Sequence, residues 1–243
     1  MSQRSFRTYQ ALLLGALGIF LFSKVMDGRV LLYINRRFVL LVLLGALALI
    51  FLAQLVLRER PSPEMDEAEA HHDHDHHHRS GLGLFLLALP LLIGMLVPER
   101  PLGALALSTR GVNVFAVGGT SGRLGLPPEQ RSILDWLREA AEDPSGEAYA
   151  GLPADVTGFV FYDPRLGDDQ FMIGRFTIAC CVADASALGL VAQTSGMENL
   201  PANTWVRVRG VMALTSLDGR MVPLIIADSV EEIPEPEQPY LFP

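Results

Sequence analysis

Lysine and histidine are both missing from residues 99–243, and cysteine occurs only as one adjacent pair, Cys180 and Cys181. Each gap excludes a class of chemistry. With no lysine, and 10 Arg against 19 Asp plus Glu, that stretch carries a local net charge of −9. Such a surface repels a phosphate backbone, so nucleic acid is excluded as a partner. Without histidine the stretch cannot assemble a Ser-His-Asp set, and a thiol there has no imidazole to activate it. Two adjacent cysteines make neither a disulfide framework nor a spaced metal pair, and they assign no redox compartment. A Gly-rich phosphate loop and a zinc-protease helix are absent too. The chain does not read as an enzyme.

What it has in excess is apolar residues. Half of the 243 residues are hydrophobic, mean hydropathy is +0.30 and the formal net charge is −8. The apolar excess sits before Pro98, where 9 basic groups nearly balance 8 acidic ones. Residues 10–22 hold no charge, residues 38–57 hold Gln54 as their only polar side chain, and residues 81–97 are apolar with Pro90 inside. A helix rises about 1.5 Å per residue, so about 20 apolar residues cross a hydrocarbon core of roughly 30 Å. Three transmembrane helices are expected, over residues 10–26, 38–57 and 81–98. The first segment could also be a signal peptide, with Arg4 and Arg7 ahead of it. Phe22-Ser23-Lys24-Val25 is a poor cleavage site, however, and a retained anchor is the expectation. Basic residues number five on one side of these spans and six on the other, so they set no orientation.

Every histidine lies between the second and third segments, in the loop 58–80. There His71, His72, His74, His76, His77 and His78 are interleaved with Asp73 and Asp75. Imidazole and carboxylate suit zinc or another divalent transition metal, and a tract this dense offers many overlapping ligand sets. On a Pro- and Glu-rich linker it would exchange metal and not fix it. The other readings are a solvated linker and an engineered tag, the latter disfavoured by the internal, Asp-interrupted position.

Residues 99–126 read as a mostly irregular juxtamembrane linker, and residues 127–243 as a soluble domain. Pro127 and Pro128 with Glu129 open a helix over 128–142. From residue 155 the apolar period becomes two. Strands are expected over 156–162, 170–179, 189–193, 205–214 and 221–230, with turns at Asp163-Pro164, Ser195-Gly196 and Asp218-Gly219. The predicted fold is thus membrane α plus soluble β. Its domain is α+β, with a five-stranded OB-like barrel over 154–233 and a tail over 234–243. Gly158, Gly174 and Gly210 fall inside strands, where a coiled barrel needs bends or bulges.

The segment FMIGRFTIACCVADA is the most distinctive of the domain. Read as a continuous strand, it places Cys180 on the apolar face with Phe176 and Ile178, and Cys181 on the other face with Arg175, near Asp184. Arg175, Cys180, Cys181 and Asp184 are the candidate functional motif.

The runs RFTIACCVADASALGLVAQ and NTWVRVRG, the terminal QPYLFP and the strand DVTGFVF resemble the YcgQ-type family of two-component permease subunits. The matching positions are Arg175, Cys180, Cys181, Ala183, Asp184, Trp205, Val206 and Gly210. The resemblance spans nearly the whole chain. It implies a small accessory subunit acting with a polytopic membrane permease, and a zinc association that agrees with the His-rich loop. The expected role is an accessory permease subunit in the cell membrane, in contact with membrane lipid, with a divalent metal such as zinc as candidate cargo. The alternative is a membrane-anchored metal or small-molecule sensor without transport.

Overall fold

A computed structural model describes residues 3–58, 81–114, 125–194 and 200–242. The His-rich stretch 59–80, residues 115–124 and the expected turn at Ser195-Gly196 lie outside the described residues. The chain divides into two compact units, Met1–Glu99 and Arg100–Pro243.

In the first unit, α1 (Gln3–Met26) and α2 (Val39–Arg58) are joined by a short connector. The stretches Arg7–Met26 and Arg36–Arg58 are long and apolar enough to cross a membrane. The helices run antiparallel on small residues: a Cβ on Gly15 would touch Ala53, and one on Gly18 would meet Ile50 at 2.7 Å and the Ala46 carbonyl at 2.9 Å. Gly18 is therefore required by the close approach of α2. Ala11, Ala46 and Ala53 are buried along the same seam. Small residues at a helix contact let backbones pack closely where lipid supplies no hydrophobic drive. Leu12, Ile19, Leu40, Leu44 and Phe51 point outward and are exposed. Asn35, itself buried, caps the 3₁₀ turn Arg36–Phe38 ahead of α2 by accepting the Arg37 N–H on Oδ1 at 3.1 Å.

The third expected span is corrected. It forms α3 (Gly81–Leu96), a helix of only 16 residues. At about 1.5 Å per residue it measures roughly 24 Å, short of a hydrocarbon core of about 30 Å. Among the described residues only α1 and α2 reach spanning length.

The second unit opens with α4 (Ala104–Arg110), inside the stretch expected to be irregular. Its Leu107 is fully buried in a cluster with Phe159, Phe176 and Trp205. Tertiary packing, invisible to local pattern, makes this helix. The next helix, α5 (Ile133–Glu142), starts at Ser132, whose side chain and that of Asp135 cap each other's backbone N–H groups. It buries Ile133, Leu134, Trp136 and Leu137 on one face.

Six strands follow: β1 (Pro153–Phe161), β2 (Gln170–Thr177), β3 (Ser186–Gln193), β4 (Trp205–Leu217), β5 (Arg220–Glu232) and β6 (Tyr240–Leu241). They form one mixed sheet in the order β1-β4-β5-β3-β2-β6, and β1 also pairs with β2. The β3–β5 and β2–β6 pairings are parallel and the others antiparallel. The five-stranded expectation is thus corrected to six, because the C-terminal tail contributes β6. Alternation along the strands buries Ile173, Leu188, Leu190, Val206, Val208 and Ile225 beneath α5. Each fully buried side chain of this size contributes about 1.5–3 kcal/mol. The register between β4 and β5 slips at Arg209/Gly210. A Cβ on Gly210 would collide with the Ile226 carbonyl, so glycine is what the bulge allows.

Candidate functional site

The strand that carries the motif stops earlier than its pattern suggests. The Ile178 N–H still donates to the Leu241 carbonyl at 3.0 Å, and Ile178 is buried. Beyond it the Asp184 carboxylate takes over from the sheet. Its Oδ1 accepts from the Ala179 N–H at 3.2 Å, and its Oδ2 from Cys180 at 2.7 Å and Cys181 at 3.4 Å. A carboxylate offering charge-assisted bonds to successive N–H groups competes directly with a ladder. The chain turns into a short 3₁₀ turn, Val182–Asp184, capped by Cys181. Arg110 closes the loop from α4, donating to the carbonyls of Val182 at 3.3 Å and Ala185 at 2.9 Å.

Cys180 is consequently exposed rather than in the core, a correction, while Cys181 is half-buried, and the two do not form a disulfide. Both Asp184 oxygens accept from the backbone of residues 179–181, so the carboxylate shapes the loop that carries the thiols. Among the described residues no group of three or more His, Cys, Asp or Glu could hold a metal ion. The loop presents the Cys180 thiol at the surface on a backbone held by Asp184.

Arg175 does something different. From β2 its Nε donates to the Pro239 carbonyl at 3.1 Å and its Nη2 to the Gln238 carbonyl at 2.6 Å. Nη1 reaches the Thr157 carbonyl at 3.2 Å and Oγ1 at 2.8 Å on β1. The guanidinium lies 5.5 Å from the centre of the Trp205 ring. These partners hold the tail against the sheet, and the Leu102 N–H adds a bond to the Tyr240 hydroxyl at 2.9 Å. Every partner is neutral, so burial is uncompensated and lowers the guanidinium pKa to about 10. Arg175 and the cysteine loop share the motif in sequence but serve two separate tasks.

A groove of about 240 Å³ is lined by Arg131, Ser132, Asp155, Thr157, Arg175 and Arg207. Its charges are largely matched. Arg207 holds Asp155 with two bonds, at 2.7 and 2.6 Å, and Arg209 adds a third at 3.2 Å. These bonds, the Arg207 pair first, keep the Asp155 carboxyl below the usual range. Arg131 pairs with Glu139 and lies 4.9 Å from the Trp136 ring centre. Sequence reasoning missed Asp155 and Arg110. Arg207 and Arg209 flank Val208 and so share one strand face, which was a usable signal; Arg110 had none.

The His and Asp residues of the expected metal tract, His71, His72, His74, His76, His77, His78, Asp73 and Asp75, lie outside the described residues.

Comparison with known proteins places this architecture. Residues 9–113 match the DUF1980 N-terminal domain and residues 129–243 match the DUF1980 C-terminal domain. A protein of Streptococcus mutans serotype c, named "Putative two-component membrane permease complex subunit", is 24% identical over 195 residues. The match covers 64% of this chain and 71% of that relative.

Proposed function

The chain belongs to the DUF1980 family, across both of its domains, and from that membership we propose that it is the accessory subunit of a two-component membrane permease. In this reading α1 and α2 cross the bilayer and dock on a polytopic partner that contains the transport pathway. One observation carries the need for a partner. The two long helices meet through alanine and glycine, and between their charged ends the only polar side chain of α2 is Gln54, which is exposed. A pathway through a bilayer normally requires several inward-facing polar groups. The relative's name supports the subunit role.

The pairing circuit β1-β2-β3-β5-β4-β1, with β3–β5 as its one parallel contact, supports reading the sheet as a partly open barrel of the OB type. Its acidity directs it to protein and not to nucleic acid. The tract over residues 71–78 collects a divalent transition metal such as zinc and raises its concentration beside the partner. A membrane-anchored sensor differs in one respect, that metal would be read without being moved.

A photo-crosslinking residue placed at the exposed positions Leu44 or Phe51 tests docking in the native membrane. The expected product is a single adduct with a polytopic membrane protein. Adducts with lipid alone, from both positions, overturn the reading.

A further inference from the structure

Beyond the C-terminal end of α1 lies a groove that the permease role does not use. Its walls divide by chemistry. Phe20, Met95 and Val97 supply apolar surface, and Lys24, Arg29 and Glu99 supply charge. The Phe20 ring is seated against Gly94, where a Cβ would meet it at 2.8 Å, so α1 and α3 hold the apolar wall together. Lys24 Nζ lies 5.2 Å from the Phe20 ring centre.

Glu99 is nearly buried, with 6% of its side chain exposed, and it receives two cations: Lys24 at 2.6 Å and Arg29 at 3.3 Å. One carboxylate cannot neutralise both. Arg29 is 58% exposed and has Glu99 as its sole partner among the described residues, so its fork of five N–H groups is mostly open. The connector adds Arg36 and Arg37 against Asp27, all exposed, which leaves this end of the helices cationic. Lys24 is also the first charge after Arg7 along α1, so it marks where hydrocarbon gives way to headgroups.

We infer that this groove binds the headgroup of an anionic glycerophospholipid, its phosphate on Arg29 and Lys24 and its acyl chain along Phe20, Met95 and Val97. A basic pocket between membrane helices is suited to an anionic headgroup. A zwitterionic lipid would bring its own ammonium onto Arg29 and lose the advantage. The inference rests on α1 being a membrane helix.

The test uses the full chain, purified in detergent and loaded into nanodiscs containing equal phosphatidylglycerol and phosphatidylcholine, with retained lipid read by native mass spectrometry. Each basic residue near an anionic surface contributes about 1 kcal/mol, so retention should favour phosphatidylglycerol by about fivefold or more. Arg29→Gln, at an exposed side chain, should bring the two lipids close to parity while the protein stays monodisperse. Equal retention by the unaltered chain, or an unchanged preference in Arg29→Gln, overturns the inference. Displacement of the lipid by soluble glycerophosphate at equal concentration would also overturn it, since the acyl contacts would then contribute nothing. Alkaline carbonate extraction of native membranes separates the two claims. Release of the chain there defeats the membrane reading itself, whereas a retained chain without lipid preference defeats only the groove.

Discussion

Asp184 governs the conformation of the cysteine loop through three backbone N–H groups, and its effect is separable from any role of the thiols. Asp184→Ala should cost about 1 kcal/mol, the usual loss for an N-cap-like acceptor, and should raise amide hydrogen exchange at residues 179–181. Unchanged exchange there would remove Asp184 as the organiser. Arg175→Met strips four hydrogen bonds from carbonyls and a hydroxyl, and it should cost about 2–4 kcal/mol. The tail beyond residue 234 should become sensitive to protease in that variant, at temperatures where the remainder of the unit stays folded. Asp155 titrates below the usual carboxylate range, so the stability it contributes is present above about pH 4 and is lost as pH falls through its folded value. Asp155→Asn should therefore lower the melting temperature at neutral pH, and the gap to the unaltered chain should close as pH falls below the folded value of Asp155. A gap of constant size across that range would show that the pair with Arg207 contributes nothing electrostatic.

At the scale of elements, the α1–α2 seam rests on atoms that Gly18 does not have. Gly18→Leu should force the helices apart at a cost of about 1–3 kcal/mol, seen as a lower temperature of aggregation in detergent. The outward-facing Ile19→Leu should leave that temperature unchanged. The long apolar helices were legible in the sequence as unbroken uncharged runs, and the five long strands as a period of two repeated over many residues. The elements that were not legible are those made by distant partners. Residues 104–110 are helical because Leu107 fills a cluster with Phe159 and Phe176. The tail pairs as β6 because Arg175 grips residues 238 and 239 from β2. Strand periodicity carried Cys180 inward past Ile178, where a single carboxylate six residues further on turned the chain out. Arg175, Cys180, Cys181 and Asp184 could be picked out together, but their division into a tail clamp and a thiol loop is a fact of three dimensions. The third apolar run forms a helix of 16 described residues, two fewer than the span expected over residues 81–98.

At the scale of the whole molecule, the chain joins a helical unit, two of whose helices are long and apolar enough to cross a membrane, to an acidic β domain, and has its histidine-rich tract in the sequence between α2 and α3. Deleting residues 71–78 should lower the cell's handling of zinc at unchanged protein abundance, with accumulated metal measured by elemental analysis. Equal accumulation at equal abundance would reduce the tract to a linker. The central claim, that this chain works only as one half of a permease, is tested most directly by its native company. The tagged full chain is isolated from its own membrane in a mild detergent, and the co-purifying proteins are identified and quantified by mass spectrometry. A polytopic membrane protein recovered in stoichiometric amount is the expected result. Recovery of the chain alone, under conditions that keep other membrane complexes intact, would contradict the account and leave a self-sufficient membrane-anchored binding protein in its place.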